Sequence, residues 1–264
     1  MDEPSKRLAP RRGIYILPNL LTTAALFAGF YAVVAAIDGH FERAAVAIFV
    51  AMLFDGLDGR VARMTHTESA FGKEYDSLSD MVSFGLAPAI VAYQWGVARI
   101  AETVSESGQH AVLWSRLGWL ATFFFAASTA LRLARFNARS ATQDKRYFEG
   151  LPSPSGAALV ASFIWLAYEN SLHAVLGLAT AFSVTAIAGA LMISKFAYWS
   201  FKQINWTSPV SFLYLIAVIL PFVIVPIDPP FVLFTLFGVY ALSGPITWLV
   251  RKLRRRPRSV PGPT

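Results

Sequence analysis

Four aspartates stand at helical spacing within one stretch of an otherwise apolar sequence. Asp55 and Asp58 are three residues apart, and Asp76 and Asp80 are four apart, so each pair lies on one face of its helix. Two antiparallel helices joined at Met64–Phe71 would bring the four carboxylates together. Because like charges at this range repel unless a cation lies between them, the pattern predicts an oxygen-ligand metal site suited to Mg²⁺ or Mn²⁺.

A simpler explanation is that the aspartates form salt bridges with Arg60, Arg63 and Lys73 in a solvated loop. Such a loop needs neither paired helical spacing nor glycines, and Gly56 and Gly59 each cost about 1 kcal/mol relative to alanine inside a helix. We therefore favour a ligand site. For the glycines themselves, close packing of membrane helices stays open as an alternative.

The composition is that of a membrane protein. Hydrophobic residues make up 55% of the chain and the mean hydropathy is +0.50, above the roughly 45–50% apolar content of soluble domains. Apolar runs of this kind must be helical, because the bilayer offers backbone groups no water. Eight runs are candidate spans: Gly13–Ile37, Ala44–Phe54, Met81–Ala98, Leu117–Leu131, Gly150–Tyr168, Ser171–Ser194, Gln203–Ile227 and Pro229–Val250.

These runs predict an all-α, polytopic helical bundle of about eight spans. We treat residues 1–264 as a single domain with polar tails at 1–12 and 251–264. Twenty of the 23 lysines and arginines fall on one side of such a bundle, which predicts that both termini are cytoplasmic. We expect the chain to lie in the cytoplasmic, or inner, membrane. This distribution also accounts for the net charge of +7 without a nucleic-acid partner. Without cysteines, the chain forms neither disulfides nor thiolate metal sites.

The aspartate segment carries a family resemblance. It matches, without a departure, the signature D-x2-D-G-x2-A-R-x8-G-x3-D-x3-D of the CDP-alcohol phosphatidyltransferase family. The chain therefore resembles enzymes that move a phosphatidyl group from a cytidine-diphosphate lipid to a hydroxyl acceptor. The fixed positions are filled by Asp55, Asp58, Gly59, Ala62, Arg63, Gly72, Asp76 and Asp80, and Gly56 lies between the first two aspartates.

The resemblance implies roles for these residues. Asp55, Asp58 and Asp76 are expected to bind one or two divalent ions, and Asp80 to complete the site as a ligand, as the catalytic base, or as both. A second group is expected to bind the CDP-lipid, either as walls of the nucleotide pocket or as phosphate partners. Its members are Gly56, Gly59, Ala62, Arg63 and Gly72, together with Asn19 and Thr22 on the first helix, for which helix capping or packing is an equal alternative.

Segments outside the signature resemble family members that use L-serine as the acceptor of the phosphatidyl group of CDP-diacylglycerol. They include R-L-A-R-F-N at Arg132–Asn137 and F-E-G-L-P-S-P at Phe148–Pro154. An amino-acid acceptor needs a cation for its carboxylate, and the resemblance assigns this role to Arg135, with Phe136 beside it. The alternative is that Arg135 only marks the cytoplasmic boundary of its span. The resemblance also implies a homodimer.

Two groups of alternatives are open at this stage. Within the same reaction class, the acceptor could be glycerol 3-phosphate, inositol phosphate or choline. From another class, the chain could be a cation-coupled secondary transporter. Transporters of that kind place acidic residues near mid-bilayer in repeated halves, whereas these aspartates cluster towards one face and the sequence shows no repeat. We therefore expect a membrane enzyme.

Overall fold

The computed structural model describes residues 16–104, 110–139, 147–171, 174–199 and 224–254. This part of the chain is mostly helical, as the sequence predicted. Two three-residue strands, β1 (Tyr147–Glu149) and β2 (Ala197–Trp199), pair antiparallel. The helices are α1 (Ile16–Ile37), α2 (Phe41–Met64), α3 (Ala70–Asp80), a π-helical segment (Met81–Leu86), α4 (Ala87–Val104), α5 (His110–Arg139), α6 (Ser153–Glu169), α7 (Ala174–Ile193) and α8 (Pro229–Arg254).

Five helical stretches within the described residues are long and apolar enough to cross a membrane. They are α1, the continuous helix Ala70–Ala98, Val112–Ala138 in α5, Leu176–Ile193 in α7, and α8. Helix α2 carries charged residues towards both ends, and α6 has only 17 residues. The predicted span Gln203–Ile227 and the tail 1–12 lie outside the described residues, apart from 224–227. Helix α8 continues four residues into the predicted C-terminal tail.

Small residues allow α1 and α2 to lie close together. The two helices are joined by a short turn at Gly39, whose φ of 78° suits glycine. Because alanine side chains line the facing surfaces, the backbones approach closely, as is usual between membrane helices. The buried alanines are Ala25, Ala28, Ala32, Ala35 and Ala36 on α1, and Ala44, Ala45, Ala47 and Ala51 on α2.

Helix α6 lies at the centre of the bundle. Every residue from Gly156 to Trp165 is buried, and the helix contacts α2, α4, α7 and α8. A helix that is apolar on all sides is stable only when it is surrounded in this way. Its first residue, Ser153, is fully buried against α5, which places the start of α6 beside the aspartate-bearing end of the molecule.

The π-helical segment follows Asp80 directly and is fixed to α1. Ser83 Oγ donates to the Ala25 carbonyl at 3.1 Å, and Ser79 Oγ donates to the Thr22 carbonyl at 3.2 Å. A Cβ on Gly29 would lie only 2.7 Å from Ser83 Cα, so glycine is required for this approach. Short π-helical turns are frequent at functional sites. This one begins directly after Asp80, the last residue of α3.

Candidate active site

Three carboxylates from two helices converge at the junction of α2 and α3. Asp55 on α2 and Asp76 and Asp80 on α3 each offer an oxygen within 4.8 Å of the others, and all three residues are half-buried. Oxygen ligands at this spacing suit a hard divalent cation. The donor set therefore fits Mg²⁺ or Mn²⁺, and the convergence that the sequence predicted is present for these three residues.

A short turn joins α2 to α3. It lies inside the predicted Met64–Phe71 connection and includes His66, whose φ is 52°. Thr65 and Thr67 share a side-chain hydrogen bond of 2.8 Å within it. Ser69 Oγ then accepts a hydrogen bond of 3.0 Å from the Gly72 amide, which caps the start of α3. This turn connects the helix that carries Asp55 to the helix that carries Asp76 and Asp80.

Asp58 lies apart from the three converging carboxylates. Its side chain is buried, and its Oδ2 accepts a hydrogen bond of 2.6 Å from Thr22 Oγ1 on α1. Burial raises the pKa of Asp58, while the hydrogen bond from Thr22 and the charge of Arg63 act in the opposite direction. The structure thus joins two predicted site residues, Thr22 and Asp58, to each other. A ligand role for Asp58 stays a prediction.

Gly56 and Gly59 on α2 face open space among the described residues. A Cβ on Gly56 would meet no described atom within 4 Å, and one on Gly59 would meet only Arg63 Nη1, at 3.7 Å. Close helix packing therefore does not explain these two glycines in the described part of the chain. Ala62 is half-buried and Arg63 is exposed on the same stretch of α2. This surface of α2 is free to receive a ligand.

Gly72 and Asn19 are neighbours across α1 and α3. A Cβ on Gly72 would lie 3.1 Å from Ser69 Oγ and 3.5 Å from Asn19 Oδ1. The start of α1 therefore stands beside the start of α3, as the predicted CDP-lipid site requires. Thr23, next to the predicted residue Thr22, shares a hydrogen bond of 2.9 Å with Tyr75 Oη, which strengthens this junction.

Arg135 is bound by backbone carbonyls. Its guanidinium joins the end of α5 to β1 and to the end of α7, while Phe136 beside it is 38% exposed. These bonds give Arg135 a structural role, and its predicted role towards an acceptor stays a prediction. The four carbonyls belong to Glu149 (3.0 Å), Met192 (3.2 Å), Ile193 (3.2 Å) and Ser194 (3.4 Å).

Two residues of the same motif approach the aspartates, although the sequence did not single them out. Arg132 is only 9% exposed, and its charge lies close enough to Asp80 for electrostatic attraction. Asn137 Nδ2 donates to Ser77 Oγ, between Asp76 and Asp80, at 2.9 Å. Arg132 also contacts Ser153 at the start of α6, whereas Asn137 contacts α3 directly. In the sequence, the available signal was their place in the same motif as Arg135, three residues before it and two after it. Only the packing of α5 shows which residues of the motif lie near the aspartates.

Comparison with known proteins identifies the family. The family model described as CDP-alcohol phosphatidyltransferase matches residues 15–194, more than half of the chain. The chain belongs to this family. The matched region contains all of α1 to α7, and with them the three converging carboxylates. Enzymes of the CDP-alcohol phosphatidyltransferase family depend on a divalent metal, which agrees with the oxygen donor set formed by Asp55, Asp76 and Asp80.

Curated members of the family resemble the chain over most of its length. A CDP-diacylglycerol–serine O-phosphatidyltransferase of Helicobacter pylori is 34% identical over 242 residues, covering 91% of this chain and 94% of the relative. A protein of the same name from Methanocaldococcus jannaschii is 35% identical over 202 residues, covering 76% and 82%. One from Mycobacterium leprae is 38% identical over 159 residues, covering 58% and 48%.

An apolar groove runs along α1 and α2 of this phosphatidyltransferase. Its volume is about 880 Å³. One end reaches Phe54, the residue before Asp55, and the other reaches Glu42 and Arg43. Between these ends the walls are aliphatic and aromatic. The remaining lining residues are Leu20, Thr23, Ala24, Phe27, Ala28, Tyr31, Val46, Ala47 and Val50.

Proposed function

We propose that this protein transfers the phosphatidyl group of CDP-diacylglycerol to the hydroxyl of L-serine, giving phosphatidylserine and CMP. The observation that carries the proposal is the convergence of Asp55, Asp76 and Asp80 in a chain of the CDP-alcohol phosphatidyltransferase family. Relatives that align with nine-tenths of this chain have the serine-specific name. The choice of serine rests on those relatives and on the motif segments outside the aspartate signature.

The carboxylates would hold Mg²⁺ or Mn²⁺, as one ion or two. When bound, such an ion neutralises the diphosphate and stabilises negative charge that develops on phosphorus and on the departing CMP. Asp55, Asp76 and Asp80 are the ligands that the distances favour. Asp58 supports the site from the next turn of α2, with Thr22 fixing its orientation.

Asp80 is the residue that we assign as the base. In the transfer, the serine hydroxyl oxygen forms a bond to the phosphorus of the phosphatidyl group, and the bond from that phosphorus to the CMP oxygen breaks. The hydroxyl proton passes to the Asp80 carboxylate. A base must lie within hydrogen-bond reach of the proton that it accepts. Asp80 is one of the three converging carboxylates and lies close to Arg132, which supports this assignment.

The open surface of α2 receives the cytidine diphosphate. Gly56 and Gly59 leave room for the nucleotide to approach the backbone, and the exposed guanidinium of Arg63 is suited to a phosphate oxygen. Asn19 Oδ1 lies beside Gly72 at the start of α3. The full set assigned to the donor is Asn19, Thr22, Gly56, Gly59, Ala62, Arg63 and Gly72.

The groove on α1 and α2 takes an acyl chain of the same donor. The position of its end supports this occupant, since Phe54 lines the groove and directly precedes Asp55 in the sequence. From Phe54 to Arg43 the helix rises about 16 Å, a length comparable to half the hydrocarbon core of a bilayer. Aliphatic and aromatic walls bind a lipid chain without requiring polar contacts.

The proposed membrane topology and assembly are those expected from the sequence. We propose eight spans with both termini cytoplasmic, in the cytoplasmic or inner membrane, and a single domain that forms a homodimer. Five described helices support the span count, and the basic residues support the orientation. In this arrangement soluble serine reaches the aspartates from the cytoplasm while the donor stays in the lipid. Arg135 and Phe136 line the acceptor side next to Arg132.

The proposal is tested by CMP release from purified protein in detergent with CDP-diacylglycerol and Mn²⁺ or Mg²⁺. L-Serine, glycerol 3-phosphate, inositol phosphate and choline are compared as acceptors. We expect release with serine that a chelator abolishes. Release with another acceptor alone would keep the reaction class and overturn the serine assignment. No release with any acceptor, combined with cation-driven uptake in vesicles, would favour a transporter.

A further inference from the structure

One buried cation near the aspartates has an unfilled hydrogen-bond donor. Arg132 is 9% exposed, and its Nη1 donates to Ser153 Oγ at 2.9 Å. Its Nε–H is buried and has no hydrogen-bond partner within the described part of the chain. Because a buried, unpaired donor is costly and rare, this group calls for an acceptor that a ligand would supply.

The surroundings of Arg132 indicate the charge of that ligand. Asp80 attracts the guanidinium, and Arg135 and Tyr240 are the other ionisable neighbours. Arginine pairs well with carboxylates because its planar fork can donate two parallel hydrogen bonds. Ser153, at the buried start of α6, holds one edge of the fork in place. The Nε–H stays unpaired among the described residues, and Asp80 is the carboxylate that interacts with the guanidinium.

We infer that Arg132, held by Ser153, binds the carboxylate of the amino-acid acceptor and so selects serine. The inference rests on the proposed function. In serine, only the α- and β-carbons separate the carboxylate from the hydroxyl oxygen. A cation and a base that handle these two groups must therefore be neighbours, as Arg132 and Asp80 are. This assignment moves acceptor recognition from Arg135, whose Nη1 and Nη2 donate to backbone carbonyls, to the residue one turn before it.

The first test measures acceptor binding and turnover in Arg132→Gln and Arg132→Lys. Calorimetric binding of L-serine to the purified protein is compared with the KM values for L-serine and for CDP-diacylglycerol. We expect the serine affinity to fall on the order of 100-fold in Arg132→Gln, with serine KM rising alike and the donor KM unchanged. Arg132→Lys keeps the charge without the fork and is expected to recover only part of the affinity.

Ethanolamine has the hydroxyl and the amine of serine but lacks the carboxylate. It therefore distinguishes carboxylate binding by Arg132 from a general effect of its charge on Asp80. Substitution of Arg132 is expected to lower kcat/KM for serine far more than kcat/KM for ethanolamine. The ratio of the two values, which measures the preference for serine, should therefore fall. Equal losses with both acceptors, or an unchanged serine affinity, would overturn the inference and leave Arg132 as a charge that balances Asp80. If Arg132→Gln does not fold, Ser153→Ala provides the test, since it frees the fork and is expected to raise serine KM about 10-fold.

Assays of the wild-type protein distinguish failure of the inference about Arg132 from failure of the proposed function. A wild type that releases CMP with serine, together with an Arg132 variant that retains its serine affinity, contradicts only the inference. A wild type that does not use serine contradicts the proposed acceptor itself. Arg116→Gln, on the exposed surface of α5, is the matched control and is expected to leave all three measurements unchanged.

Discussion

Two arginines on consecutive turns of α5 serve different regions of the molecule. Around Arg135, four backbone carbonyls from β1 and the end of α7 accept its hydrogen bonds. Around Arg132, Ser153 accepts one hydrogen bond, the Nε–H has no partner among the described residues, and Asp80 lies close enough for electrostatic attraction. An arginine held by several backbone carbonyls stabilises a fold, whereas a buried arginine with an unpaired donor beside a carboxylate is suited to a ligand. The comparison assigns stability to one region and chemistry to the other.

The largest effect is expected at the carboxylates. Asp55→Asn or Asp76→Asn removes a charged oxygen ligand without changing the volume of the side chain, so CMP release is expected to fall by about 1000-fold while thermal unfolding stays near the wild-type temperature. Asp38→Asn, in the exposed turn between α1 and α2, is the control. Substantial activity in the Asp55 or Asp76 variant would remove that residue from the metal site.

Arg135→Gln is expected to affect stability more than turnover. The substitution leaves carbonyls of β1 and α7 without their donor and should destabilise the fold by about 2 kcal/mol, measured as a lower unfolding temperature in detergent. The folded fraction should keep its serine KM. If serine KM rises while the unfolding temperature does not change, Arg135 recognises the acceptor, as the sequence resemblance implied.

Gly56→Ala separates helix stability from donor binding. A methyl group there meets no described atom and favours the helix by about 1 kcal/mol, so the protein should be at least as stable as the wild type. It occupies space that we assign to the nucleotide, and KM for CDP-diacylglycerol should rise about 10-fold. Gly29→Ala, which meets Ser83, is expected to show the opposite pattern, with lost stability. An unchanged donor KM in Gly56→Ala would exclude the nucleotide from this surface.

The smallest effect concerns the pKa of Asp58. Thr22→Val removes the hydrogen bond that stabilises the Asp58 carboxylate. The pKa of Asp58, already raised by burial, should rise further, so the acidic limb of the rate profile moves to higher pH and the rate near neutrality falls about fivefold. Thr180→Val on α7 serves as control. A profile that does not move would show that Asp58 does not need to be ionised for turnover.

Features set by local spacing were predictable from the sequence. The convergence of Asp55, Asp76 and Asp80 follows from helical periodicity and one short turn, and the helical fold follows from hydropathy. Features set by packing were not predictable. The hydrogen bond between Asp58 and Thr22 depends on how α1 packs against α2. The closeness of Arg132 to Asp80 depends on the rotation of α5 about its own axis. The π-helical segment after Asp80 and the β1–β2 pair also left no periodic signal.

Direct binding of Mn²⁺ to chelator-treated protein, followed by electron paramagnetic resonance, tests the central claim that α2 and α3 share one metal centre. The account predicts saturable binding to the wild type and to Asp38→Asn, and an affinity at least 100-fold weaker in Asp80→Asn, since one of three charged ligands is lost. Mn²⁺ binding of equal strength in Asp80→Asn and in the wild type would contradict the account.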